Sequence, residues 1–181
     1  MASAISPQFQ DIDFPSEMSL DQKIEVFADR VTGWQLNIAQ KCADIPHSGF
    51  AVLSIVFSYF EMIAKYQDGY KGVDKVQEYF KKGFVDVYPT LSNEPQDIRE
   101  KILEKLYYDV RCGMYHNGIT GPDIELSDFD FPVAFVSPST IRINPHRLAP
   151  SLRQHFQSYI RQLRDHRNEG LRHKFEARFN S

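Results

Sequence analysis

The chain has 181 residues, of which 42% are hydrophobic, and a formal net charge of −3 at pH 7. This length is most simply one domain, large enough to bury a core without disulfides or metal ions. The acidic balance excludes nucleic-acid binding over the whole surface, so any such binding needs a local basic patch. Two cysteines, Cys42 and Cys112, support no disulfide framework and are typical of a reducing compartment.

The first 18 residues show no periodicity and predict an extended arm, residues 1–18. They contain no basic region followed by an apolar run, so we expect no secretory signal and a cytoplasmic location. Ser19 and Gln22 then form a capping-box pattern that predicts the start of a helix. Its apolar positions recur every three or four residues: Leu20, Ile24, Phe27, Val31, Trp34 and Ile38. This stripe can pack inside the chain or against another subunit.

The segment after Pro46 is apolar almost all round and predicts the central buried helix. It is too short for a membrane span and is interrupted by Ser54, Ser58 and Glu61. A buried lone carboxylate is costly, so Glu61 should face either solvent at the helix rim or a cation. Arg111 is one candidate partner for Glu61.

A third helix is predicted up to Val87, and a fourth, long helix over residues 98–118. The apolar face of the fourth helix repeats every four residues: Ile98, Ile102, Leu106, Val110 and Met114. Ser92 or Asn93 is expected to cap it. Two short strands around a turn predict a β-hairpin near residues 132–143.

A further helix follows the hairpin, with a core face that includes Leu152, Phe156 and Leu163. Residues 146–181 carry seven Arg and one Lys against three carboxylates, an excess of five positive charges. This excess is either a basic patch or a solvated helix face.

The predicted fold class is an all-α bundle of about five helices with a small hairpin. It comprises an arm over residues 1–18, a helical domain over 19–168 and a basic helical tail over 169–181.

Arg111 and His116 lie at the end of the fourth helix, around Gly113 and before the helix stop Asn117-Gly118. A guanidinium that binds phosphate and an imidazole that exchanges a proton near neutral pH can together attack a phosphodiester. An Arg followed by His after four to six residues is expected about once by chance in such a chain. Two other pairs, Arg161 with His166 and Arg167 with His173, lie in the charged C-terminal segment and are treated as coincidental.

The segment Tyr107–Gly118, with Arg111-Cys-Gly-Met-Tyr-His116 at its centre, resembles the signature of the HEPN superfamily of all-helical domains. In that family an Arg is followed, after four to six residues, by a His near the end of a long helix. The segment from Tyr79 to Pro89 also resembles the helix that precedes the signature in some branches. The chain has Cys112 where the family most often has Asn, Asp or His. It has Gly118 where members paired with a nucleotidyltransferase antitoxin often have Tyr.

The resemblance implies a metal-independent endoribonuclease whose cleft is built by two subunits. It assigns His116 as acid or base around the ribose 2′-hydroxyl and Arg111 as the residue that holds the scissile phosphate. Cys112, Tyr115 and Asn117 are candidate substrate-binding residues, and Glu61 is a candidate support for Arg111. The expected partners are an RNA substrate and a second copy of the chain, with an antitoxin or effector protein as a candidate regulator. No membrane partner is expected. No cofactor is expected either, since the glycines form no phosphate cradle for ATP or a dinucleotide.

Other interpretations of the same residues stay open. Arg111 can bridge Asp109 or Glu104, and His116 can stabilise the negative end of its helix. The chain would then be a non-catalytic helical interaction module. Cys112 and His116 share a helical face and could form a thiol nucleophile with its base, although no protease signature surrounds Cys112. A zinc site is weakly supported, because the other histidines form no tight pair with two cysteines.

Overall fold

The computed structural model describes residues 3–14, 17–137 and 140–181. Part of the predicted arm, residues 1–2 and 15–16, and residues 138–139 of the predicted hairpin turn lie outside these ranges. The described residues form six helices and a small three-stranded sheet. The bundle is therefore mostly helical, as the sequence predicts.

The six helices are named here in chain order. Helix α1 covers residues 20–43 and consists of α-helical Leu20–Arg30, π-helical Val31–Leu36 and α-helical Asn37–Ala43. Helices α2 and α3 are Gly49–Asp68 and Val76–Val87. Helix α4 covers residues 96–117 and consists of α-helical Gln96–Lys105, π-helical Leu106–Cys112 and α-helical Gly113–Asn117. Helices α5 and α6 are Pro145–Arg164 and Glu169–Phe179.

Helix α2 is the centre of the bundle. Its buried side chains include Leu53, Val56, Phe57 and Phe60, and they form one core cluster with residues of the other five helices. Within the described residues α2 alone is long and apolar enough to cross a membrane by length and composition, and half of that stretch is buried in the protein. Its packing inside the bundle favours the interpretation as a core helix.

The predicted cap of α1 is confirmed, whereas the predicted cap of α4 is wrong. The Ser19 side chain accepts a hydrogen bond from the Gln22 backbone N–H, and the Gln22 side chain accepts one from the Ser19 N–H. Helix α4, in contrast, begins after Pro95 with no side-chain cap, while Ser92 and Asn93 lie in the 3-10 turn Pro89–Asn93. A residue that precedes proline avoids the helical region, so the helix cannot include Glu94.

The apolar stripe predicted for α1 is wrong in its second half. Trp34 and Ile38 are exposed, whereas Leu36 and Ala39 are buried. The reason is the π-helical turn Val31–Leu36, in which hydrogen bonds run from i to i+5. The wider turn shifts the face of the helix, so positions extrapolated at 3.6 residues per turn rotate out of the core.

The arm is held against α1 by hydrogen bonds. The Ser6 hydroxyl and the Gln8 backbone N–H both donate to Asp29 Oδ2, at 2.6 and 2.8 Å. The Arg30 Nε donates to the Ile5 carbonyl. The arm thus covers α1 beside its π-helical turn.

The predicted hairpin is part of a larger sheet. Strands β2, Val133–Phe135, and β3, Ile141–Ile143, pair antiparallel as expected. A third strand, β1, Ile124–Leu126, pairs parallel with β3 and was not predicted. Ile124 faces Ile141 in this register, and both side chains are buried. Strands β2 and β3 are joined by a short turn that predicts a hairpin, whereas β1 pairs with β3 across a longer stretch of chain and has no such signal.

The C-terminal residues 169–181 are part of the bundle, which corrects the view of them as a tail. Phe175 is fully buried, with its ring centroid 5.3 Å from that of Phe27 on α1. Three of the seven arginines in residues 146–181 form ion pairs with carboxylates of the described residues. They pair as Arg164 with Glu25, Arg167 with Asp165, and Arg172 with Asp21. Two of these pairs, Arg164 with Glu25 and Arg172 with Asp21, join the C-terminal part of the chain to α1.

Helices α2 and α3 approach closely at Gly83. A Cβ at this position would lie 1.8 Å from the Phe60 carbonyl oxygen. We expect Gly83→Ala to destabilise the protein by about 3 kcal/mol or more, because the two helix backbones must separate. Gly170→Ala is the matched control, since nothing lies within 4 Å of its Cβ and alanine favours the helix. Urea denaturation measures both, and equal stabilities of the two variants would contradict the close packing.

A chain of hydrogen bonds joins α2, α5 and α3. The Tyr59 hydroxyl lies 2.8 Å from His155 Nδ1, and His155 Nε2 lies 2.8 Å from Asp86 Oδ2. Gln67 Nε2 also donates to Asp86 Oδ2, at 2.7 Å. The hydrogen bond from His155 lowers the pKa of Asp86, although partial burial opposes this effect.

The Asp86 carboxyl is harder to protonate in the folded chain than in the unfolded one. Its ionised form therefore stabilises the fold fully at pH values above its ordinary pKa of about 3.9. This stabilisation is lost as the pH falls through the lower pKa of the folded chain. We expect Asp86→Asn to cost about 1 kcal/mol at pH 7, with a smaller difference from the wild type as the pH falls from 5 to 3. Urea denaturation across this range measures the difference. Asp130→Asn, at an exposed carboxylate, should show no such trend.

Candidate functional site

Arg111 lies in the π-helical turn of α4, close to Glu61 on α2. One guanidinium nitrogen, Nη2, lies 3.8 Å from Glu61 Oε2, so the predicted pairing of these residues is present. The guanidinium also lies over the rings of Tyr107 and Tyr115, at 5.8 and 5.0 Å from their centroids. Its side chain is 26% exposed and makes no hydrogen bond to any residue that the structure describes. It therefore keeps unused donors on a partly open surface.

The alternative partners considered for Arg111 are engaged elsewhere. Asp109 accepts a hydrogen bond from Lys105 Nζ at 2.8 Å, and Glu104 lies 3.6 Å from Lys81 Nζ. Arg111 is thus positioned by Glu61 of α2 and by two tyrosine rings of its own helix, and not by a carboxylate of α4.

Lys65 is the important residue that sequence reasoning missed. It is only 2% exposed, and its Nζ lies 2.7 Å from Glu61 Oε1. Glu61 therefore binds Lys65 with one oxygen and faces Arg111 with the other. The formal charges of Lys65, Glu61 and Arg111 sum to one positive charge, so the cluster still attracts an anion. In the sequence, the signal for this ion pair is the spacing of four residues between Glu61 and Lys65 on a helix predicted to be buried.

Tyr107 and Cys112 lie on the inner side of this cluster. Burial is the main cause that raises the pKa of Tyr107 above its ordinary value, the Cys112 thiol adds to it, and the Arg111 charge opposes it. The Tyr107 hydroxyl therefore stays neutral at physiological pH. Cys112 is half-buried beside this ring, which makes it a packing residue of the cluster.

Tyr115 connects α4 to α2. Its hydroxyl donates to the Ser54 carbonyl at 3.2 Å, while 53% of the residue remains exposed. The predicted substrate-binding role of Tyr115 is compatible with this placement, because one ring face is covered by Arg111 and much of the rest is open.

His116 and Asn117 are exposed at the end of α4. Neither side chain has a hydrogen bond or ion pair to another residue within the described ranges. On an ideal α-helix Arg111 and His116 would lie about 140° apart, and the π-helical turn ends at Cys112, so most of the steps between them are α-helical. No hydrogen bond joins the two side chains in this single chain.

Gly113 lies where the chain after α4 folds back against the helix end. Residues Gly113–Asn117 are α-helical, and the widened turn lies upstream at Leu106–Cys112. A Cβ on Gly113 would lie 2.7 Å from the Ile119 carbonyl oxygen, because the chain folds back here after Gly118, whose φ is +68°. Gly113 allows this close approach.

A cleft of about 400 Å³ lies at the N-terminal ends of α2 and α5. Its lining includes His47, Asp128 and His146, but Arg111 and His116 are not part of it. Among residues 3–14, 17–137 and 140–181, no group of three His, Cys, Asp or Glu side chains is arranged to hold a metal ion. The candidate site is an open surface beside α2.

No family model, curated protein or solved structure matches the chain. The site's interpretation therefore depends on its geometry and chemistry.

The buried ion pair provides a test of how the cluster is held. Glu61→Leu should destabilise the protein by about 3 to 5 kcal/mol, because it leaves the Lys65 ammonium buried without a counter-charge. The double variant Glu61→Leu/Lys65→Met should regain much of this loss, since both charges are removed. Glu78→Leu, in the exposed pair with Lys75, is the control and should change stability by less than about 1 kcal/mol. Strictly additive effects of the two core substitutions in urea denaturation would contradict the pairing.

Proposed function

We propose that the chain is a metal-independent endoribonuclease of the HEPN type, acting in the cytoplasm as a homodimer in a toxin or defence system. The observation that carries this proposal is the state of Arg111. It is held by Glu61 and two tyrosine rings, lacks hydrogen bonds to the described residues, and lies on the same helix end as the exposed His116. A guanidinium with free N–H donors can bind a phosphate through two parallel hydrogen bonds.

The proposed reaction is attack by the ribose 2′-hydroxyl on the adjacent phosphorus. The 2′-oxygen forms a bond to phosphorus, its proton passes to the imidazole of His116, and the bond from phosphorus to the 5′-oxygen breaks. The leaving 5′-oxygen takes a proton, and a dimer would supply a second imidazole for this purpose. Arg111 stabilises the extra negative charge that develops on the phosphate oxygens. The products are a 2′,3′-cyclic phosphate and a 5′-hydroxyl.

A dimer is part of this proposal for a geometric reason. Arg111 and His116 are not joined within one chain, and the surface beside them is open. A second copy could place its own exposed histidine opposite the first guanidinium. An antitoxin or effector protein that covers this surface would then control the activity.

The second candidate is a non-catalytic helical interaction module. The ion pair of Arg111 with Glu61 and its contacts with two rings favour it, because they also account for Arg111 as a structural residue. The two candidates differ in whether purified protein cleaves RNA.

The test incubates the protein with single-stranded and structured RNA in the presence of a chelator. We expect cleavage with 2′,3′-cyclic phosphate ends, and a loss of about 10² to 10⁴ in rate for either Arg111→Ala or His116→Ala. The double variant Arg161→Ala/His166→Ala carries the same two changes at a coincidental pair and should cleave normally. Cleavage that survives both site substitutions would exclude the assigned site, and a folded dimer that cleaves none of the RNAs would favour the interaction module.

A further inference from the structure

A cavity of about 360 Å³ lies where α1, α2 and α6 meet. Its lining combines apolar and polar side chains of these helices: Phe27, Val31, Met62, Arg30, Tyr66 and Arg178. We call it the arginine cavity, with the first three residues as its apolar wall and the last three as its polar rim. Neither Arg111 nor His116 lines it, so a ligand in this cavity would be bound apart from the candidate site on α4.

The two arginines of the polar rim have no counter-charge. Arg30 Nε donates to the Ile5 carbonyl at 2.5 Å, and Arg178 Nη1 donates to the Lys71 carbonyl at 3.2 Å. Toward the residues that the structure describes, Arg30 donates only through Nε and Arg178 only through Nη1, and neither forms an ion pair with a carboxylate. Each guanidinium therefore keeps N–H donors and a positive charge for an anion.

The Tyr66 hydroxyl is the third donor of the polar rim. Burial raises the pKa of this hydroxyl, whereas the Arg178 and Arg30 charges oppose that effect, so both guanidiniums are near enough to act on it. No hydrogen bond joins the hydroxyl to another residue in the described part of the chain. A half-buried donor without an acceptor is unfavourable, and an anion beside the two arginines would provide the acceptor.

The apolar wall determines what the rest of the ligand can be. Phe27 and Val31 are almost fully buried, and Met62 is half-buried. Sugar hydroxyls or the polar edge of a base would find no hydrogen-bond partner on this wall, so the body of the ligand must be apolar. A cavity of this volume has room for about twelve water molecules, or for a carboxylate with a chain of about eight carbons. Ligand pockets commonly combine such a wall with a few placed polar groups.

We propose that the arginine cavity binds a medium-chain carboxylate, with the carboxylate on the polar rim and the hydrocarbon chain along the apolar wall. The two carboxylate oxygens accept N–H groups of Arg30 and Arg178 and the O–H group of Tyr66. A guanidinium matches a carboxylate in shape, because two parallel hydrogen bonds can form. This binding site is additional to the proposed function and does not depend on RNA cleavage.

Isothermal titration calorimetry of the full chain with octanoate, below the concentration at which octanoate forms micelles, tests the proposal. We expect one octanoate to bind per chain. Over the series butanoate, hexanoate and octanoate, the affinity should rise by about fourfold for each added methylene, since each is buried against the apolar wall. Removing the charge in 1-octanol should weaken binding by about tenfold or more, and octylammonium should not bind. Octyl phosphate that binds more tightly than octanoate would overturn the assignment of a carboxylate.

Variants test the polar rim with octanoate as the ligand. Arg30→Gln and Arg178→Gln should each weaken binding by about ten- to a hundredfold, and Tyr66→Phe by about three- to tenfold. Arg178→Lys should weaken it less than Arg178→Gln, because the charge remains. Circular dichroism checks that each variant is folded. Arg99→Gln is the matched control and should bind like the wild type, since Arg99 also donates to a backbone carbonyl but lies outside the cavity.

Several results would overturn the inference. They are an absence of octanoate binding, equal affinity for 1-octanol and octanoate, and unchanged affinity in both the Arg30→Gln and Arg178→Gln variants. Binding that is lost in Arg161→Gln but kept in Arg178→Gln would instead place the ligand in the cavity between α1 and α5 that Arg161 lines. A protein that binds octanoate but cuts no RNA would contradict only the endoribonuclease proposal. RNA cleavage without octanoate binding would contradict only the arginine cavity.

Discussion

The burial of α2 is the constraint on which the rest of the structure depends. Its apolar side chains must be covered on nearly all sides, and the other helices supply that cover. The approach of α3 is close enough to require Gly83, whose missing side chain leaves room for the Phe60 carbonyl. The face of α2 that remains partly open includes Ser54, Ser58 and Glu61, and the candidate site lies beside these residues.

The charged residues of the site follow from the same constraint. Glu61 lies on a helix that is mostly shielded from solvent, so its carboxylate needs a cation. It contacts two cations, Lys65 and Arg111. Lys65, deeply buried one turn along α2, provides the shorter contact. Lys65 also contacts the Val73 carbonyl, whereas Arg111 makes no hydrogen bond to any residue that the structure describes, so its N–H donors remain on a partly open surface. The cluster of Glu61, Lys65 and Arg111 thus pairs the buried Lys65 charge and also leaves Arg111 on a partly open surface.

The two π-helical turns influence which side chains α1 and α4 expose. In α1 the widened turn moves Trp34 and Ile38 out of the core, and in α4 it lies where Tyr107 and Arg111 meet α2. A regular α-helix with the same sequence would direct the predicted apolar stripe of α1 inward, as its periodicity indicates. The exposed tryptophan is therefore a consequence of backbone geometry that hydrophobic burial alone would oppose.

The sequence by itself determined the helical class, the central position of α2, the capped start of α1 and the β2–β3 hairpin, because these depend on local periodicity and on turn or cap residues. It also indicated Arg111 and its contact with Glu61, since a lone carboxylate on an apolar helix requires a cation. Only the tertiary structure decided the π-helical turns, strand β1, the packing of α6 and the burial of Lys65. Each of these depends on contacts between segments distant in the chain, and a pattern read along one segment carries no information about what packs against it.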